Sequence, residues 1–235
     1  SAFYDGVTIN DYIMNPEVTI VGPTRRLVGI GVFAHEFGHN LGLPDLYDTD
    51  PSNGNSAGIG NWDIMAGGTW LGIGYAPGDF SAWCKEELGW ITPTNLTIGN
   101  SGNHSLLPTT QNISNVYRIN TNLNNEYFLL ENRKKTKLDS LLPGEGMAIW
   151  HINTDKTNSF GNRVNGDVAL KGVDLEEADG LDELDSNINR GNAGDLYPGI
   201  TNNTSFNSSS TPNSNHYTND TTGLNIWNIA KNGDT

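Results

Sequence analysis

The sequence predicts an α+β protein in two parts that meet near residue 91. Two observations carry that expectation. An apolar helical stretch over residues 27–41 contains a His-Glu-x-x-His spacing, and beyond Ile91 short β-favouring runs recur between turn residues. Residues 1–91 are read as a catalytic, zinc-binding region, and residues 92–235 as a small antiparallel β domain that carries an acidic loop.

In chain order, residues 1–25 hold β-favouring side chains at Phe3, Tyr4, Val7, Ile9, Tyr12 and Ile13, then at Val18 to Val21. The helix follows. Leu27, Val28, Ile30, Val32, Phe33, Ala34, Phe37 and Leu41 leave it apolar on most sides, which predicts burial, and histidines beside a glutamate are costly to bury without a partner. Positions i and i+4 share a helix face, so His35 and His39 can offer two imidazole nitrogens to one metal, with Glu36 next to them. A catalytic zinc takes three protein ligands and keeps one position for water. Gly42 can adopt the left-handed conformation that stops a helix, and Pro44 cannot continue it, so the chain turns back and brings Asp45 toward the metal as third ligand. Asp48 is the nearby competitor.

With the turn Trp62-Asp63-Ile64-Met65, the pattern His-Glu-x-x-His-x-x-Gly-x-x-Asp resembles the metzincins, in which a methionine turn underlies the metal. More narrowly it resembles the immune inhibitor A type of secreted bacterial metallopeptidase. The carrying stretches are Asp11 to Glu17, the metal helix with Leu43 to Asp48, Trp62 to Gly68, and Phe80 to Trp83 through Leu88 to Trp90. Weaker likeness continues at Leu130 to Arg133, Leu142 to Gly144, Ile149 to Ile152 and Glu177 to Gly180.

The resemblance implies a metzincin-like zinc peptidase domain, Met65 beneath the site, and the Tyr12 region as a cleft-side edge strand. Such domains usually place several strands and a backing helix before the metal helix. The chain is therefore expected to begin inside its catalytic domain, with an upstream pro-segment as a further partner. Gly67 stands where many metzincins have a tyrosine that assists the oxyanion, leaving Tyr12 and Tyr75 as nearby candidates.

Asp48 to Gly60 reads as loop, and Phe80 to Leu88 as a helix stopped by Gly89. In the second part, strands are expected at Val116 to Ile119, Glu126 to Glu131 and Met147 to Ile152. His151 is expected to be structural, and Asn132 to Lys135 a solvated face. Residues 174–199 concentrate carboxylates that repel one another unless a cation lies between them, so Asp179, Asp182, Asp185 and Asp195 are candidate calcium ligands. The loop lacks the spacing of an EF-hand. Residues 201–222 are a Ser/Thr/Asn-rich tract, after which Leu224 to Ile229 is the expected last strand.

Composition narrows the partners. The chain has 235 residues, and 13 basic against 27 acidic side chains give a formal charge of −14. So acidic a chain repels nucleic acid and anionic membranes. Its one cysteine, Cys84, excludes an internal disulfide and is expected in the core. No apolar run reaches membrane-spanning length. The expected activity is secreted, zinc-dependent endoproteolysis of protein or peptide substrates, with Glu36 as general base. The alternatives are an inactive pseudopeptidase serving as an extracellular binding or adhesion module, and a zinc hydrolase of non-peptide amides.

Overall fold

The computed structural model describes residues 2–9, 12–99, 101–158 and 162–233; Asp11, from the first resembling stretch, lies outside them. The chain opens with two antiparallel hairpins: β1 (Ala2–Tyr4) with β2 (Val7–Ile9), and β3 (Val18–Val21) with β4 (Thr24–Leu27). Asp5 and Gly6 join the first pair with positive φ at both positions, the backbone that two-residue hairpin turns require. Among the described residues no strand forms at Tyr12; Asn10, like Asp11, lies outside them. Residues 12–17 are irregular and Tyr12 is exposed; Pro16, near the end of the segment, supplies no N–H to a ladder.

The helix that carries His35 and His39, α1, spans Ile30–Asn40. Its burial is one-sided, which corrects the expectation of cover on most sides: Gly31, His35 and Gly38 are buried, whereas Ile30, Phe33, Phe37 and Leu41 are exposed. The packed face is the one with little side chain. A Cβ at Gly31 would stand 2.1 Å from the Thr69 carbonyl oxygen, and one at Gly38 would stand 2.4 Å from Met65 Sδ. Bare backbone at these positions lets the helix lie directly on the segment 65–74.

After a stretch of loop and 3₁₀ turns, α2 covers Ala82–Glu87, capped by the Ser81 hydroxyl and ended at Gly89 with φ 68°. Cys84 is fully buried there, as expected. A five-stranded sheet follows: β5 (Thr94–Leu96), β6 (Tyr117–Asn120), β7 (Glu126–Arg133), β8 (Gly146–Asn153) and, after the single-turn α3 (Thr154–Thr157), β9 (Val173–Leu175). It is antiparallel except for β5 on β6, which pair in parallel. A parallel neighbour needs a long connection, and residues 97–116 provide one. A two-strand ribbon of β10 (Ser205–Phe206) and β11 (Ile226–Trp227) ends the fold, the second within the expected 224–229.

The two central strands are buried on both faces, and each carries an apolar run, Tyr127 to Leu130 and Met147 to Trp150, between polar residues that are themselves mostly buried. Tyr127, Leu129, Ala148, Trp150 and Ile152 face a core shared with Leu43, Leu46, Trp62, Met65, Trp83 and Cys84. Phe128, Leu130 and Ile149 face a second core with Tyr197, Phe206 and Leu224. The first core thus crosses the boundary expected at residue 91. Arg133 corrects the solvated-face reading: it is fully buried, with Nε and Nη2 each 2.7 Å from an Asp139 oxygen and Nη1 2.8 Å from the Trp62 carbonyl. The strand alternation turns it inward, where a paired guanidinium is tolerated.

Candidate metal centre

His35 Nδ1 donates to the Ile64 carbonyl at 2.8 Å, and His39 Nδ1 donates to the Leu43 carbonyl at 2.8 Å. A carbonyl can only accept, so each Nδ1 carries a proton, and in the neutral imidazole each Nε2 is then the lone pair. Both lone pairs converge on Asp45. Its Oδ1 lies 3.1 Å from His35 Nε2 and 3.3 Å from His39 Nε2, and is buried without a hydrogen-bond partner among the described residues. Three electron-rich atoms facing one another require a proton or a cation between them. Burial lowers the His35 pKa, but Asp45 and the Ile64 carbonyl outweigh it and the net shift is upward; His39 is raised chiefly by Asp45. Burial pushes Asp45 up, yet His35, His39 and Asn162 hold it well below the usual carboxylate range. The two imidazole nitrogens and one carboxylate oxygen are donors suited to zinc.

The turn that delivers Asp45 is a Schellman motif. Gly42, at φ 100°, donates to the His39 carbonyl at 2.9 Å, and Leu43 donates to the Gly38 carbonyl at 3.0 Å. Asp48 is spent on its own loop, accepting from Asp50 N at 2.8 Å and Ser56 N at 3.1 Å. Beneath the site Asp63 accepts from Met65 N at 2.5 Å and Ser81 N at 2.6 Å, which folds the turn back. That turn has two outputs: Ile64 fixes His35, and the Met65 carbonyl accepts from Leu46 N at 2.9 Å, one residue past Asp45. Met65 itself is fully buried against Gly38.

The stretch that carries these residues is similar in sequence to a known family. Residues 3–91 match the catalytic domain of the immune inhibitor A peptidase M6 family. Immune inhibitor A of Bacillus thuringiensis subsp. alesti is 46% identical over 78 residues, 32% of this chain and 10% of that protein. The pre-pro-metalloprotease PrtV of Vibrio cholerae serotype O1 (strain M66-2) is 43% identical over 76 residues, 29% of this chain and 8% of that protein. The chain spans about a tenth or less of the length of these curated relatives. Residues 3–91 are thus similar to the catalytic domain of a metallopeptidase family.

Glu36 lies half-buried on α1, next to His35. Tyr47, given no role from sequence, stacks on His35 with ring centroids 6.5 Å apart. Burial, with Asp45 and Glu36 nearby, pushes its hydroxyl up to about 12. Tyr75 is tied to the Leu27 carbonyl at 2.6 Å and Tyr12 is exposed, so of the three tyrosines Tyr47 is the one stacked on His35.

Of the acidic-loop candidates, Asp179 and Asp195 come together with Glu177, a residue sequence reasoning had not chosen. Asp185 turns instead to Lys171, which it shares with Asp174, and Asp182 is exposed outside the group. His151 is buried between Glu126 at 3.0 Å and Glu176 at 3.1 Å, a structural position as expected. Among the described residues no helix is long and apolar enough to cross a membrane.

Proposed function

We propose that this chain carries the centre of a zinc-dependent endopeptidase that works outside the cell on protein or peptide substrates. The observation that carries the reading is the convergence of two imidazole lone pairs on the unpartnered Oδ1 of Asp45, with Glu36 alongside. His35, His39 and Asp45 would hold the metal. Zinc, when bound, would polarise the scissile carbonyl and acidify a water molecule. Glu36 takes the proton of the attacking water on its carboxylate and passes it to the leaving amine. The carbonyls of Ile64 and Leu43 keep both imidazoles in the tautomer that binds metal. Retention of the complete His, Glu, His and Asp set argues against a pseudopeptidase. An upstream pro-segment belongs to the same proposal, and the exposed stripe of Ile30, Phe33, Phe37 and Leu41 is the apolar surface it would cover.

The test is Glu36→Gln, assayed with a quenched peptide beside metal analysis. Zinc content is expected to match wild type while turnover falls by about a hundredfold or more. Wild-type turnover in the zinc-loaded variant would sink the mechanism.

A further inference from the structure

We propose that Glu177, Asp179 and Asp195 form a second cation site, built for calcium, that braces the turn beneath the zinc centre. One carboxylate oxygen from each residue falls within 4.8 Å of the others. Asp195 is the independent sign of a ligand. It is 0% exposed, its Oδ2 accepts from Trp62 Nε1 at 2.9 Å and Asn192 N at 3.1 Å, and its Oδ1 is buried with no hydrogen-bond partner among the described residues. A buried carboxylate oxygen without a donor is costly, and a cation removes the cost.

Among the described residues no basic side chain forms an ion pair with the group. Glu177, 3% exposed, receives only the neutral backbone amides of Leu184 and Glu183, each at 3.0 Å, and Asp179 receives Leu181 N at 3.1 Å. The buried cation of this region, Lys171, is paired with Asp174 and Asp185 instead. Asp179 is admitted by a glycine: a Cβ at Gly194 would stand 2.2 Å from Asp179 Oδ2. Carboxylate oxygens alone, on flexible turns whose carbonyls and water can fill further positions, suit calcium, whereas zinc favours nitrogen and sulfur.

The loop reaches the zinc centre through direct bonds. Besides Asp195 to Trp62, the Arg190 carbonyl accepts from Asn61 N at 2.7 Å and the Leu184 carbonyl accepts from Ala57 N at 2.8 Å. Trp62 stands three residues before Met65, whose turn holds His35 and Asp45 in place. Calcium would therefore stabilise the floor of the first site without entering its chemistry.

The experiment uses the full chain, stripped of calcium with a selective chelator and returned to buffer of fixed ionic strength. Terbium is the probe, since tryptophan excitation sensitises its emission and Trp62 adjoins the site; calcium titration, melting temperature and zinc content are followed in parallel. Expected are one saturable terbium site displaced by calcium and a calcium-dependent rise in melting temperature. In Asp179→Asn, a half-buried position, affinity should fall about tenfold or more, while the exposed Asp182→Asn retains it. A circular dichroism spectrum like that of wild type certifies Asp179→Asn as folded, and if it fails that check Glu177→Gln replaces it. A wild-type melting curve unmoved by calcium, or equal losses in the 179 and 182 variants, would overturn the site in favour of a diffuse acidic surface. The zinc reading stands or falls separately, because none of these readouts depends on proteolysis.

Discussion

Asn162 grips Asp45 from both sides: its Oδ1 accepts the Asp45 amide at 2.6 Å, and its Nδ2 donates to Asp45 Oδ2 at 2.6 Å. The pair spans 117 positions of sequence and joins the two regions read from the chain. It also divides the labour of the carboxylate. Oδ2 is occupied by the amide, so Oδ1 is the oxygen left to face the imidazoles.

From this follows the expectation that Asn162→Ala weakens zinc affinity about 10- to 100-fold while leaving the ligands in place. Competition against a chromophoric chelator measures it. Unchanged affinity would mean that the turn at Gly42 positions Asp45 unaided.

The reach of that contact shows what could be read from sequence and what could not. His35, His39, Gly42 and Asp45 lie within eleven consecutive residues, and local helix and turn geometry decides where each points. Asn162 had no comparable signal, being one asparagine in a chain full of them. Arg133 was misread because it adjoins Lys134 and Lys135, and only its strand register, opposite Gly146, shows that it points inward. In α1 an apolar pattern on most sides said nothing about which side packs. The informative residues were Gly31 and Gly38, where another backbone and Met65 come too close for a Cβ. Glu177 sat in full view among the acids, but the way 179 and 195 come together around it depends on the folding of two distant turns.

Gly38 supports a prediction of its own. In a helix interior, glycine to alanine ordinarily stabilises by about 1 kcal/mol. Here the new methyl would meet Met65 Sδ at 2.4 Å and Cε at 3.1 Å, and Met65 is fully buried. Overpacking of that kind costs about 1–3 kcal/mol, so the sign reverses and the melting temperature should fall. The loss should shrink when Gly38→Ala is made in a Met65→Ala background, since the two residues share one contact. Additive losses would show that the helix and the turn do not press on each other.

The last prediction concerns pH and a site remote from the metal. His151 is buried, stacked on Tyr217 with ring centroids 4.5 Å apart and tilted against Phe128 at 4.4 Å, with Glu126 and Glu176 on its two nitrogens. Glu126 Oε2 also accepts from His216 Nδ1 at 2.8 Å. Burial alone would lower the His151 pKa, but the two carboxylates prevail and push it up to about 9, from an ordinary value of 6.5. A raised histidine pKa means that the folded protein binds the proton more tightly than the unfolded chain does. Its contribution is therefore complete below about pH 6.5 and is lost as pH rises through 9. The upper bound is roughly 3 kcal/mol, at about 1.4 kcal/mol for each unit of pKa. Urea unfolding at intervals from pH 6 to 10 should show wild-type stability declining across that window more steeply than His151→Gln, which keeps a polar side chain but cannot titrate. The difference between the two proteins is the measured quantity, because it cancels the groups they share. Parallel curves would mean that His151 sits neutral between its carboxylates, with the proton on Glu176, whose own pKa burial raises.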